Sequence, residues 1–120
     1  MKHLESKLQQ ACLKWARFQY PECRKLLFSV PNGAHLSLVQ ARILKAEGMT
    51  AGVPDMILMQ HSKDDKYCCL CIEFKTEKGR QSESQAAFEE ALPKDYLYDI
   101  VRSFEQFKEL LDYYLAERYR

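Results

Sequence analysis

What this 120-residue chain lacks narrows its possibilities first. It has no excess of charge of either sign: 18 Lys and Arg against 17 Asp and Glu leave a formal +1. A uniformly basic coat is therefore excluded, and any contact with a polyanion must come from a local patch. It also lacks a disulfide framework. The five cysteines, Cys12, Cys23, Cys68, Cys69 and Cys71, are odd in number, and three crowd into four positions. That usage fits reduced thiols in a cytosol, packed as small apolar side chains. No paired Cys-x-x-Cys offers a tetrahedral zinc site, and His3, His35 and His61 show no ligand spacing. No apolar run approaches the roughly 20 residues needed to span a bilayer. The opening Met1-Lys2-His3-Leu4-Glu5-Ser6-Lys7 carries charges where a secretory signal would have its apolar core. The expectation is a protein of the cytoplasm (the host cytoplasm if viral) with no membrane contact. Repeats, low-complexity tracts and linkers are absent too, so the reading is one domain over residues 1–120.

What is present has clear periodicity. Leu4, Leu8, Ala11, Cys12, Trp15 and Phe18 recur at helical spacing over residues 3–19, and Pro21 ends the pattern. Residues 26–30 read as a short strand, punctuated by Pro31-Asn32-Gly33. A second helix is predicted over 36–47, with Leu36, Val39, Ile43 and Leu44 on one face and Gly48 at its stop. Two strands follow, over 55–60 and 67–75, joined by the polar loop His61 to Lys66; the second is apolar enough to be central. Ser82-x-x-Gln85 is a capping box opening a helix over 83–92. Residues 97–101 form another strand. Ser103-x-x-Gln106 opens a last helix whose apolar face carries Phe104, Phe107, Leu110, Leu111, Tyr114 and Leu115. The order is α-β-α-β-β-α-β-α, an α/β fold with a mixed central sheet flanked by helices.

The chemistry gathers in the central hairpin. Side chains alternate along a strand, so Glu73 and Lys75 share one face while Phe74, Ile72 and Leu70 face the core. If Gln60 pairs near residues 67 or 68, antiparallel pairing brings Asp55 opposite residues 72 or 73. Neighbouring strands lie about 4.8 Å apart, so the two carboxylates can share one cation. Two carboxylates with water and a phosphate oxygen suit Mg²⁺ or Mn²⁺. Such an ion activates water near neutral pH. Lys75 would position or deprotonate that water, or stabilise negative charge. This is a toolkit for phosphodiester hydrolysis.

Pro54-Asp55 followed by Glu73-x-Lys75 resembles the signature of the PD-(D/E)XK nuclease superfamily. Beyond it, Pro31-Asn32-Gly33, Gly48, Ala51-Gly52-Val53-Pro54-Asp55, Ile72-Glu73-Phe74-Lys75, Gly79, Ser82, Gln85 and Val101-Arg102-Ser103 resemble the virus-type replication–repair nuclease (VRR-NUC) family over nearly the whole chain. The resemblance implies a restriction-endonuclease-like αβββαβ core with one helix inserted, and a divalent-metal nuclease activity. It implies Asp55 and Glu73 as metal ligands, the Phe74 backbone carbonyl as a further ligand, and Lys75 as the catalytic lysine. It also implies that Glu5 assists metal binding through water and that Gln85 acts near the active site, although a capping box explains Gln85 equally. One departure is Pro93-Lys94-Asp95-Tyr96, where relatives usually place a glycine before the aromatic; it leaves the shape of that turn open.

Lys78 and Arg80, directly after the catalytic strand, could contact phosphates, as could Arg42 and Arg102. Asn32 is a turn residue first and a DNA contact second. The expected function is a structure-selective DNA endonuclease acting as a homodimer on branched DNA such as four-way junctions, since two sites are needed for symmetric cutting. The last helix offers one dimer interface through aromatics such as Tyr113, Tyr114 and Tyr119; the alternative is that Tyr114 belongs to the core stripe and the others are simply exposed. The rivals are a nuclease directed at flaps or single strands, and a module that only grips DNA.

Overall fold

Four strands pair in the order β1 (Leu27–Ser29), β2 (Met56–Leu58), β3 (Cys69–Phe74) and β4 (Tyr96–Val101). β1 and β3 both run antiparallel to β2, whereas β4 runs parallel to β3. A parallel neighbour cannot be reached by a tight turn. The crossover is supplied by helix α3 (Glu83–Ala91). The sheet is therefore mixed, with β3 at its centre, and the element order is the one the sequence predicts. The computed structural model describes residues 2–31 and 36–119, with the side chains of Lys2 and His3 left aside. Asn32, Gly33 and His35 lie outside the described residues.

One face of the sheet is sealed by helices α1 (Lys2–Gln19) and α4 (Phe104–Leu115). Leu70, Ile72 and Phe74 alternate with Cys71 and Glu73 along β3, and these three point into the core with Cys12, Ala16, Phe107, Leu111 and Tyr114. Phe74 stacks on Phe107 at 6.0 Å between ring centroids. Trp15 of α1 meets Phe107 edge-on at 6.1 Å. Such aromatic contacts add about 0.5–1.5 kcal/mol each beyond the area they bury. The apolar stripe of α1 is narrower than its sequence suggests: Cys12 and Ala16 are buried, while Leu4 and Phe18 at the helix ends are exposed.

The last helix departs from expectation in its aromatics. Tyr114 is fully buried and its hydroxyl donates to the Gln60 carbonyl at 2.7 Å. The Tyr119 hydroxyl donates to Gln60 Oε1 at 2.8 Å. Both are held by the core, so of the three tyrosines only Tyr113 is exposed. Helix α2 (Leu38–Ala46) departs in the opposite sense. Ser37 and Gln40 form a complete capping box, and Gly48, at φ +115°, ends the helix as predicted. Yet no residue of α2 is buried, and Val39 and Ile43 are 65% and 53% exposed. The periodicity is real, but within the described residues no layer covers it. The Pro93–Tyr96 turn is closed by the Tyr96 amide donating to the Pro93 carbonyl at 3.1 Å.

Candidate active site

The site is made where β2 begins and β3 ends. The pairs Leu58↔Leu70 and Met56↔Ile72 continue by one residue to Asp55 opposite Glu73, the register the hairpin count predicts. Asp55 is fixed further by its Oδ2, which accepts the Phe74 amide at 2.7 Å. Strand alternation sends Glu73 to the face opposite Phe74, where it is 0% exposed. Its Oε1 accepts a hydrogen bond from the Tyr98 hydroxyl on β4. Its Oε2 has no hydrogen-bond partner. Among the described residues the nearest cation, Lys75 Nζ, stands 3.8 Å from that oxygen, an ion pair beyond hydrogen-bonding range.

Two further elements reach this centre. A cavity of about 320 Å³ is lined by Asp55 together with Thr50, Ser84 and Gln85. The Ser82–Gln85 capping box is complete, so Gln85 Oε1 is engaged by the Ser82 amide at 2.8 Å while the side chain borders the cavity. A neighbouring groove of about 220 Å³ brings Glu5 of α1 beside Lys75. Burial pushes the Asp55 carboxyl above its ordinary value. The Phe74 amide counters that shift; Glu73 then raises it, Lys75 lowers it, and Glu5 raises it again. Burial and the Glu73 carboxylate likewise push the Tyr98 phenol up, so it remains a donor.

Glu73 thus keeps one buried acceptor oxygen without a hydrogen bond, with Asp55 opposite it in the ladder and Lys75 Nζ 3.8 Å away. An unpaired buried acceptor is costly, and a hard cation is its natural partner. Among the described residues no three His, Cys, Asp or Glu side chains form one cluster. Two carboxylates are nevertheless what Mg²⁺ commonly takes from a protein, because it keeps several waters. The donors present fit such an ion.

The model of the VRR-NUC domain matches residues 1–104. The chain belongs to the VRR-NUC domain family. VRR-NUC is a nuclease family, so the function is of the nuclease, DNA-processing type. A solved structure described as a "VRR_NUC domain protein" superposes with a TM-score of 0.78 at 20% identity, covering 93% of this chain and 88% of that one. At that identity the likeness speaks for the fold. No curated protein matches the chain. The VRR-NUC match stops just inside α4, yet Phe107, Leu111 and Tyr114 beyond it complete the core under β3. No helix among the described residues is long and apolar enough to cross a membrane.

The predicted DNA contacts disperse over this VRR-NUC fold. Lys78 and Arg80 are exposed on the loop leaving β3. Arg42 is exposed on α2. Arg102 Nη1 donates to the carbonyls of Thr76 at 2.9 Å and Gly79 at 2.6 Å, which pins that loop in place. Asn32 falls outside the described residues. Tyr98 escapes sequence reasoning, because the register of a parallel neighbour depends on the crossover and on no local signal.

The electrostatics predict a stability effect without metal. A carboxyl whose folded pKa is raised destabilises the fold while ionised. In EDTA at pH 7, Asp55→Asn is expected to melt higher than the wild type, since the amide oxygen still accepts the Phe74 amide. The difference is full above the raised Asp55 pKa, shrinks as pH falls through it, and vanishes below 3.8, where Asp is protonated in both folded and unfolded chains. Calorimetry across pH checks this; an Asn variant that melts lower at pH 7 would refute it.

Proposed function

We propose that this protein is a divalent-metal-dependent DNA endonuclease, acting as a homodimer on branched DNA such as four-way junctions. The observation that carries the reading is Glu73: a fully buried carboxylate with one unpartnered oxygen, opposite Asp55 and beside Lys75. A module that only binds DNA gains nothing from burying acids that face phosphates. In this reading Asp55 and Glu73 hold Mg²⁺ or Mn²⁺, the Phe74 carbonyl adds a protein oxygen, and Glu5 acts through water. When bound, the ion supplies an activated water and neutralises charge on the phosphate. Lys75, 15% exposed at its side chain, holds or deprotonates the attacking water and offsets negative charge on the phosphorane. Gln85, on the wall of the Asp55 cavity, orients the scissile strand. Lys78 and Arg80 grip the phosphates that follow; Arg42 and Asn32 add further contacts. Arg102 serves by holding the Lys78–Arg80 loop.

The homodimer is assigned to α2, whose Leu38, Val39 and Ile43 form an exposed apolar face. Such a face marks an interaction surface, and a two-fold pairing would present two sites to a junction of like symmetry.

A cleavage assay on junction, flap, duplex and single-stranded DNA tests the whole reading. Junction cutting with Mg²⁺ or Mn²⁺, arrest by EDTA, and a dimer by light scattering that Ile43→Glu returns to monomer are the expected results. Binding is expected to weaken steeply with salt as phosphate contacts release counterions. Full activity in EDTA would end the metal mechanism. A wild-type monomer that trims flaps and ignores junctions would overturn the substrate and the dimer together.

A further inference from the structure

The two oxygens of Glu73 are held unequally, and the inequality comes from β4. The parallel register sets Tyr98 beside Cys71 and Ile100 beside Glu73. Tyr98 is therefore the diagonal neighbour of Glu73 on the same sheet face, within reach of a long aromatic side chain. Six consecutive residue pairs join β3 to β4, so the tyrosine backbone is fixed by the sheet and not by a loop. The phenol hydroxyl donates to Oε1. Oε2 carries no hydrogen bond and faces Lys75.

We propose that Tyr98 is a positioning residue that confines Glu73 to one-oxygen ligation and so biases the site towards small octahedral ions over Ca²⁺. The inference rests on the metal-site reading above and adds the selectivity of that site. A bidentate carboxylate must offer both oxygens to one ion. An ion bound that way would have to share Oε1 with the Tyr98 hydrogen or displace it. Ca²⁺ takes 6–8 oxygens and readily uses bidentate carboxylates, whereas Mg²⁺ requires near-ideal octahedral geometry. A hydroxyl that occupies one oxygen therefore costs Ca²⁺ more than it costs Mg²⁺ or Mn²⁺. The same bond orients the free oxygen, as hydrogen-bond partners of metal ligands commonly do.

Titration calorimetry with MnCl₂ and with CaCl₂, on the full chain without DNA, tests this. For the wild type, Mn²⁺ is expected to bind more tightly than Ca²⁺. In Tyr98→Phe, which keeps the ring and removes the hydroxyl, the ratio of the Ca²⁺ to the Mn²⁺ dissociation constant is expected to fall by about tenfold, the low end of the effects seen when partners of metal ligands are removed. Tyr98→Met, a second way of deleting the hydroxyl, is expected to move the ratio in the same direction, and it decides the matter if the Phe variant does not fold. A merely structural tyrosine would weaken both ions by one factor; an unchanged ratio would overturn the proposal and leave the nuclease reading intact. A wild type that binds neither ion would instead remove the metal site, and this proposal with it.

Discussion

Asp55→Asn, Glu73→Gln and Lys75→Ala are each expected to slow DNA cleavage by about 10³-fold or more, because in the proposed mechanism each removes an ion-holding oxygen charge or a cation needed at the reacting phosphate. Stability is expected to change alongside, and not in one direction. Asp55 is half-buried, raised in pKa and repelled by Glu73 and Glu5, so its loss is expected to stabilise the metal-free fold. Among the described residues Lys75 is the cation nearest Glu73 Oε2, at 3.8 Å. Its loss leaves a fully buried carboxylate without that compensating charge, a change that costs about 3–5 kcal/mol in well-buried pairs and less here, since the pair is beyond hydrogen-bonding range. The two variants therefore move melting temperature in opposite directions while both lose activity. Single-turnover cleavage and calorimetry on the same samples check the pattern. Activity that simply tracked melting temperature would mean these groups hold the fold and do not perform the reaction. Wild-type cleavage by any one variant would remove that residue from the catalytic set.

The central hairpin was legible because its information is local. The length of the polar loop and the alternation of Leu70, Ile72 and Phe74 set the pairing, and the observed Met56↔Ile72 register brings Asp55 opposite Glu73 as counted. The capping box at Ser82 marks a helix start for the same reason: both partners lie within four residues. What failed was non-local. Periodicity reveals that a helix has an apolar face, not what covers it. Val39 and Ile43 of α2 pass the same test as Phe107 and Leu111 of α4, yet only the latter meet a sheet. Tyr114 was legible as part of the apolar stripe and equally as a surface anchor, and its bond to the Gln60 carbonyl decides for the core. The Tyr98–Glu73 bond depends on a parallel register across a crossover helix, which no spacing in the chain encodes.

Gly52→Ala is expected to lower stability by about 3 kcal/mol and the melting temperature by about 10 °C, and to impair cleavage besides. Two independent physical reasons act at this residue. Its φ of +84° lies in the left-handed region that favours glycine. A Cβ placed there would also stand 2.2 Å from the Ser84 carbonyl oxygen and 2.8 Å from the Gln85 amide nitrogen. These are backbone atoms of the first turn of α3 and cannot rotate aside, so the loop and the helix must separate. Gly48 is the internal control. It has φ +115°, but a Cβ there would meet nothing within 4 Å, so Gly48→Ala carries only the conformational cost, about 1–2 kcal/mol. The difference between the two variants isolates the close approach. That approach matters to the reaction because Gly52 lies three residues before Asp55, and both line the cavity that Gln85 borders. Displacing a reacting group by about 1 Å can cost on the order of 10²-fold in rate. Gly52→Ala is therefore expected to lose cleavage at temperatures where it is still folded, whereas Gly48→Ala retains it. Calorimetry and single-turnover assays well below either melting temperature compare the pair. Equal melting temperatures and equal rates for the two variants would mean that the contact between Gly52 and α3 neither stabilises the protein nor positions Asp55.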